Sequence, residues 1–100
     1  MRACWFISYR LVSGASEAEF LQAAEKCCTE VASKKKGFIS WQQLKDGDTW
    51  VDFMTFENME DAVAFEKESD PTNPYAAKFY SFIDFKSLTS KKYLVERSYK

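Results

Sequence analysis

The residues best equipped for chemistry in this chain are a carboxylate and a phenol set among aromatic rings. In the run TWVDFMTF (49–56), the two-residue period of a strand puts Trp50, Asp52, Met54 and Phe56 on one face. The preceding run GFISWQQL (37–44) adds Ile39, Trp41 and Gln43 to that face, and the opening strand brings Tyr9 and Arg10 alongside. A pocket walled by Trp41 and Trp50 would hold a planar substrate. Phe56, Arg10 and Tyr80 complete the expected binding surface, and Asp52 or Tyr9 handles a proton. A carboxylate enclosed by apolar side chains has its charged form disfavoured, which raises its pKa toward that of a base useful near neutrality. The same residues also fit a plainer role. Trp41 and Trp50 would then be core or interface aromatics, with Asp52 accepting from an indole N–H or an arginine. Tyr75, Phe79 and Tyr80 sit where a short helix could lid such a pocket or simply pack.

Other chemistries are excluded or disfavoured by what the chain contains. It has no histidine, which rules out a Ser-His-Asp triad, a Cys-His pair, a histidine-ligated haem and most zinc sites. Cys4, Cys27 and Cys28 are odd in number and show no C-x-x-C spacing. Adjacent cysteines on a helix diverge by about 100°, so they suit free thiols of a reducing compartment rather than a bridge or a metal site. Mid-helix placement also denies Cys27 and Cys28 the helix N-terminus that would activate a nucleophile. No metal or cofactor is therefore expected. The formal net charge is −1, and the basic runs 34–36 and 91–92 are short, so neither nucleic acid nor an acidic membrane is an expected partner. Lys36-Gly37-Phe38 resembles part of an aromatic RNA-binding motif but begins the second strand rather than the third, and the pI of about 5.5 weighs against it. No apolar run approaches the roughly 20 residues of a membrane span. The N-terminal MRACWFISYRLV alternates like a strand and lacks a cleavage region, so a cytoplasmic protein is expected.

The elements that position these residues follow from periodicity and punctuation. One hundred residues make one domain, 1–100. The strand over 3–12 places Trp5, Ile7, Tyr9 and Leu11 on one face. Ser16-Glu17-Ala18-Glu19 reads as a capping box opening a helix to about residue 35. Phe20, Leu21, Ala24, Cys27, Cys28 and Val31 form its apolar stripe, and Gly37 lies just past its end. A two-residue type I′ turn at Asp46-Gly47 closes the central hairpin and pairs Lys45 with Asp48, Gln43 with Trp50, Trp41 with Asp52 and Ile39 with Met54. Asn58 caps a second helix to about residue 69, and Asn73-Pro74 opens a short one over 75–81. A strand follows over 82–88. After a polar break at 89–92, residues 93–99 alternate again and read as a strand-like arm suited to the edge of another subunit. The order β-α-β-β-α-β gives an α+β, ferredoxin-like four-stranded antiparallel sheet with both helices on one face. Its other face is apolar and calls for a cover, which a second subunit can supply.

These segments together resemble the dimeric α+β barrel superfamily, in particular its antibiotic biosynthesis monooxygenase-like branch. The matching features are Ile7-Ser8-Tyr9-Arg10, Gly37-Phe38-Ile39, LKDGDTWVD (44–52), FENMEDA (56–62) and Ile83-Asp84, so the likeness spans nearly the whole chain. The resemblance implies a homodimer joined through its sheet faces, with a small-molecule cavity between sheet and helices in each protomer. Some members oxidise polyaromatic substrates without metal or flavin, and others cleave haem. Haem-cleaving members use an Asn on the first strand, a Trp on the third and a His at the end of the second helix. Here those positions fall at Tyr9, Phe56 and residues 70–78, where no His occurs, which speaks against haem cleavage. Two function classes follow. One is a cofactor-independent oxygenase or related small-molecule enzyme; the other is a non-catalytic dimeric ligand-binding or stress-related module.

Overall fold

A computed structural model describes all residues, 1–100. In chain order the elements are β1 (Ala3–Leu11), α1 (Glu17–Glu30), a 3₁₀ turn (Ala32–Lys34), β2 (Phe38–Asp46), β3 (Thr49–Phe56), α2 (Met59–Lys67), α3 (Pro74–Tyr80) and β4 (Ile83–Leu94). The sheet is antiparallel in the order β2-β3-β1-β4, so the aromatic-rich β1 and β3 are central, as the ferredoxin-like reading requires. Each helix starts at a side chain that accepts an otherwise unpaired backbone N–H. Ser16 takes that of Glu19 at 3.2 Å, Asn58 that of Asp61 at 2.8 Å, and Asn73 those of Tyr75 and Ala76 at 2.9 and 3.2 Å.

Four expectations are corrected. The hairpin turn is Gly47-Asp48, with Gly47 at φ +62° and Asp48 not in the left-handed region, which is the type II′ arrangement. Pairing therefore runs Asp46 with Thr49, Lys45 with Trp50, Gln43 with Asp52 and Trp41 with Met54. Because the shift is by two residues, every side chain from 40 to 56 keeps the face assigned to it. A bulge between Phe38 and Ser40 then sets Phe38 opposite Phe56. Second, α1 stops at Glu30 and the chain tightens into the 3₁₀ turn, so Gly37 (φ +80°) turns the chain into β2 rather than capping the helix. Third, α2 ends at Lys67 rather than near residue 69. Fourth, the expected arm is not a separate strand: Tyr93 and Leu94 end β4, and residues 95–100 lie outside any helix or strand. β4 continues through Thr89 and Lys92 to Leu94, paired along its own β1, with Val95 N–H donating to Arg2 C=O at 2.8 Å. The polar stretch is paired residue by residue with β1, and its Lys92 sets its ammonium 4.6 Å from the Trp5 ring centroid and reaches Glu66 at 2.5 Å.

The helix-covered face is packed in two halves. Under α1 and α3, Phe20 is fully buried and its ring meets those of Tyr9, Trp50, Phe79 and Phe82 at centroid distances of 5.0 to 6.2 Å. Under α2, Trp5, Met54, Phe56 and Ala62 form a second cluster, with Phe65 against Trp5 and Phe56. Ile7 and Trp41 touch both halves. The opposite sheet face carries Phe6 stacked near Phe53 (4.6 Å) and edge-on to Tyr93 (5.8 Å), with Leu44 and Tyr93 exposed.

Candidate functional site

Where the two core halves fail to meet, a cavity of about 360 Å³ opens between the sheet and the helices. Its walls are mainly apolar, from Trp5, Ile7, Met54, Phe65, Phe79 and Ile83, with Trp41 and Tyr80 completing them. Asp52 is its one deeply buried charged group, 3% exposed. The strict alternation of β3 explains the placement. Trp50, Asp52, Met54 and Phe56 all point inward, and Asp52 and Met54 are the two that fall at the cavity. A larger, more open depression of about 520 Å³ between α1 and α3 is lined chiefly by charged and amide side chains and lies away from Asp52.

Asp52 is held by its neighbours on both flanking strands. Tyr9 Oη donates to Asp52 Oδ1 at 3.0 Å. Gln43 lies directly across on β2, and Trp41 is next on the same face. Trp41 Nε1 and Gln43 Nε2 are buried without a partner of hydrogen-bond geometry, yet both face the carboxylate closely enough to favour its ionised form. Burial nevertheless outweighs the donors, and the Asp52 pKa is pushed up to about 6. Burial and the adjacent Asp52 charge drive Tyr9 the same way, far above the ordinary phenol range, so Tyr9 stays protonated and acts as a donor rather than a base. Cys27 also lines the cavity. Burial, then Cys28 and Asp52, push its thiol up to about 11, which leaves it un-ionised at neutral pH.

Of the residues expected at the site, Asp52, Trp41 and Tyr80 border the cavity, and Tyr9 stands behind Asp52. Tyr80 Oη is within 2.9 Å of Ser69 Oγ, linking α3 to the chain just beyond α2. The other three are placed elsewhere. Trp50 is locked edge-on to Phe20 at 5.0 Å, Phe56 is fully buried under α2, and Arg10 is exposed on the opposite sheet face. Phe79, expected with Tyr75 and Tyr80 on a lid helix, also borders the cavity, whereas Tyr75 does not; Trp5, Cys27, Met54 and Phe65 are walls that the sequence did not assign, although the inward parity of Trp5 and Met54 was available.

No family profile and no curated protein sequence matches the chain. Solved structures do. The cofactor-independent oxygenase SnoaB from Streptomyces nogalater superposes with a TM-score of 0.74 at 11% identity, over 97% of this chain and 95% of that one. A protein from Chloroflexus aurantiacus J-10-fl, assigned provisionally as an antibiotic biosynthesis monooxygenase, gives 0.70 at 13% identity, over 100% and 98%. Hydroxynitrile lyase from Passiflora edulis gives 0.68 at 16% identity, over 99% and 97%. An oxygenase and a lyase on one framework mean that the fold alone does not set the chemistry. The chain thus has the ferredoxin-like α+β fold of antibiotic biosynthesis monooxygenase-type proteins.

Proposed function

We propose that the protein is a cofactor-independent oxygenase of small planar aromatic compounds, with Asp52 as its base. The observation that carries this reading is a carboxylate with a pKa of about 6, 3% exposed, at the seam of an aromatic cavity of about 360 Å³. Asp52 takes a proton from an acidic C–H whose conjugate anion is delocalised over the ring system. Trp41 Nε1, a donor on the cavity wall without a partner of hydrogen-bond geometry, is the group that would receive the resulting oxyanion. The electron-rich carbanion adds O₂, forming a C–O bond, and the peroxide anion takes back the proton held by Asp52. Loss of water from this hydroperoxide leaves a carbonyl, so that R₂CH₂ and O₂ give R₂C=O and H₂O. Tyr9 positions Asp52 and limits how far its pKa rises.

Anthrone tests the proposal, because loss of a proton from its central CH₂ gives an aromatic anion. Oxygen uptake should rise with pH as a group near 6 ionises, and Asp52→Asn should lower kcat by about 10²–10⁴-fold. Equal turnover by wild type and Asp52→Asn would remove Asp52 from the mechanism. If anthrone binds but no oxygen is consumed, the alternative of a non-catalytic ligand-binding module on the same fold stands.

The partner and the compartment belong to the same proposal. The Phe6, Phe53 and Tyr93 face joins two copies of the chain, leaving one cavity per protomer under the helices. Three free thiols suit a reducing, cytoplasmic setting. No helix is long and apolar enough to cross a membrane.

A further inference from the structure

The sheet floor of the cavity has a second polar end. On β1, Ile7 pairs with Asp52 on one side and with Ser90 of β4 on the other, so Asp52, Ile7 and Ser90 form one row across three strands. All three line the cavity. Strands lie about 4.8 Å apart, so the row sets the Asp52 and Ser90 positions about 10 Å from each other. Between them the floor is the apolar Ile7 side chain, with Trp5 and Met54 in the next row.

Ser90 is held in one hydrogen-bonding role. Trp5 Nε1 donates to Ser90 Oγ at 2.7 Å, so the hydroxyl is already an acceptor and has its own proton left to give. The Trp5 ring is in turn fixed by Lys92, whose ammonium stands 4.6 Å from the ring centroid, and by Phe65 edge-on at 6.1 Å. The two ends of the cavity therefore differ in kind. The Asp52 end accepts a proton, and the Ser90 end, on the open β4 edge of the sheet, offers one.

We infer that Ser90 is a specificity-determining residue that selects ligands carrying a hydrogen-bond acceptor, such as a ring ketone, at the end of the ring system opposite the acidic group that meets Asp52. This rests on the reading of Asp52 as the cavity's proton acceptor. It narrows the ligand class from planar aromatics in general to elongated ones with a donor at one end and a carbonyl at the other. Because Ser90 is solvent-reachable, its contribution is the modest selectivity of one neutral hydrogen bond, about 3- to 10-fold in Kd.

The test uses 2-naphthol and 6-acetyl-2-naphthol, which share the acidic hydroxyl and differ in the distal carbonyl. Binding is read by tryptophan fluorescence in the full chain at a pH above the Asp52 transition. Wild type should bind the acetyl compound about 3- to 10-fold more tightly than 2-naphthol. Ser90→Ala should abolish that preference, read as the ratio of the two Kd values falling to about 1 within the variant, and Ser90→Thr, which keeps the hydroxyl on a strand-compatible side chain, should retain it. Persistence of the preference in Ser90→Ala, or its absence in wild type, overturns the Ser90 assignment. Binding of 2-naphthol that weakens in Asp52→Asn but ignores Ser90 leaves the Asp52 reading standing and removes this one. Failure of both probes to bind removes both.

Discussion

Asp52 should make the protein less stable at neutral pH than at acid pH. In the unfolded chain its carboxyl ionises near 3.8, and in the fold near 6. Between those values the folded state holds a proton that the unfolded state has released, so stability falls as pH rises through the window. The cost is absent below about pH 4 and complete above about pH 6. The gap between the two pKa values corresponds to about 3 kcal/mol, a large share of the 5–15 kcal/mol that typically holds a domain together. At 3% exposure there is little solvent screening to discount it. Asp52→Asn removes the charge at every pH and keeps a carbonyl oxygen that can accept from Tyr9 Oη. The variant should therefore be about 2–3 kcal/mol more stable than wild type at pH 8, and the two should differ by less than about 1 kcal/mol at pH 4. Urea unfolding followed by tryptophan fluorescence, at fixed protein concentration, measures both differences. Tyr9 and Cys27, which the Asp52 charge also raises, titrate above this pH range, so between pH 4 and pH 8 the difference isolates Asp52. A variant less stable than wild type at pH 8, or a difference independent of pH, would refute the reasoning. Either result would mean that Tyr9, Trp41 and Gln43 offset the burial penalty on the carboxylate.

What could be read from the sequence was what depends on local period and local capping. The alternation in TWVDFMTF fixed which side chains of β3 point inward, and Ser16, Asn58 and Asn73 cap the helices as their types predict. The register of the hairpin was not local. Asp46-Gly47 and Gly47-Asp48 are both sound turn dipeptides, and the choice falls to the pairing that seats Trp41 beside Met54 and Gln43 beside Asp52. Since either choice preserves facing, the Asp52 side of the sheet was legible even though its partners were not. Depth was the harder quantity. Trp50, Asp52 and Phe56 share one inward face. Phe20 of α1 closes over Trp50, and α2 closes over Phe56, which leaves Asp52 and Met54 beneath the gap. No strand pattern encodes where helices above it leave space. The β4 residues were hidden for a different reason. Thr89 to Lys92 look like a break by composition, and their place in the sheet is a matter of pairing with β1, with Lys92 beside Trp5 and Trp5 reaching Ser90.

The remaining predictions concern the interface, the thiol and the backbone. Phe6→Glu places a charge on the open sheet face beside Phe53 and should shift a dimer to monomer in light scattering at micromolar concentration; an unchanged dimer would move the interface elsewhere. With its thiol pKa near 11 rather than 9.0, Cys27 should react with N-ethylmaleimide at pH 8 roughly 100-fold more slowly than an unshifted thiol. Peptide mapping that finds Cys27 labelled as fast as glutathione would show that its environment is wetter than the cavity walls imply. Gly37→Ala and Gly14→Ala separate strain from collision, because both glycines have left-handed φ angles, +80° and +79°. Nothing lies within 4 Å of a Cβ at Gly14, so alanine there should cost only the backbone strain, about 1 kcal/mol. A Cβ at Gly37 would run into the carboxylate of Asp61, which is buried and whose backbone N–H is tied to Asn58 at 2.8 Å, so it cannot simply swing aside. Chemical denaturation should therefore show Gly37→Ala losing about 2–4 kcal/mol. Equal costs at the two positions would mean that α2 yields at its first turn and that Asp61 is less firmly packed against Gly37 than its burial implies.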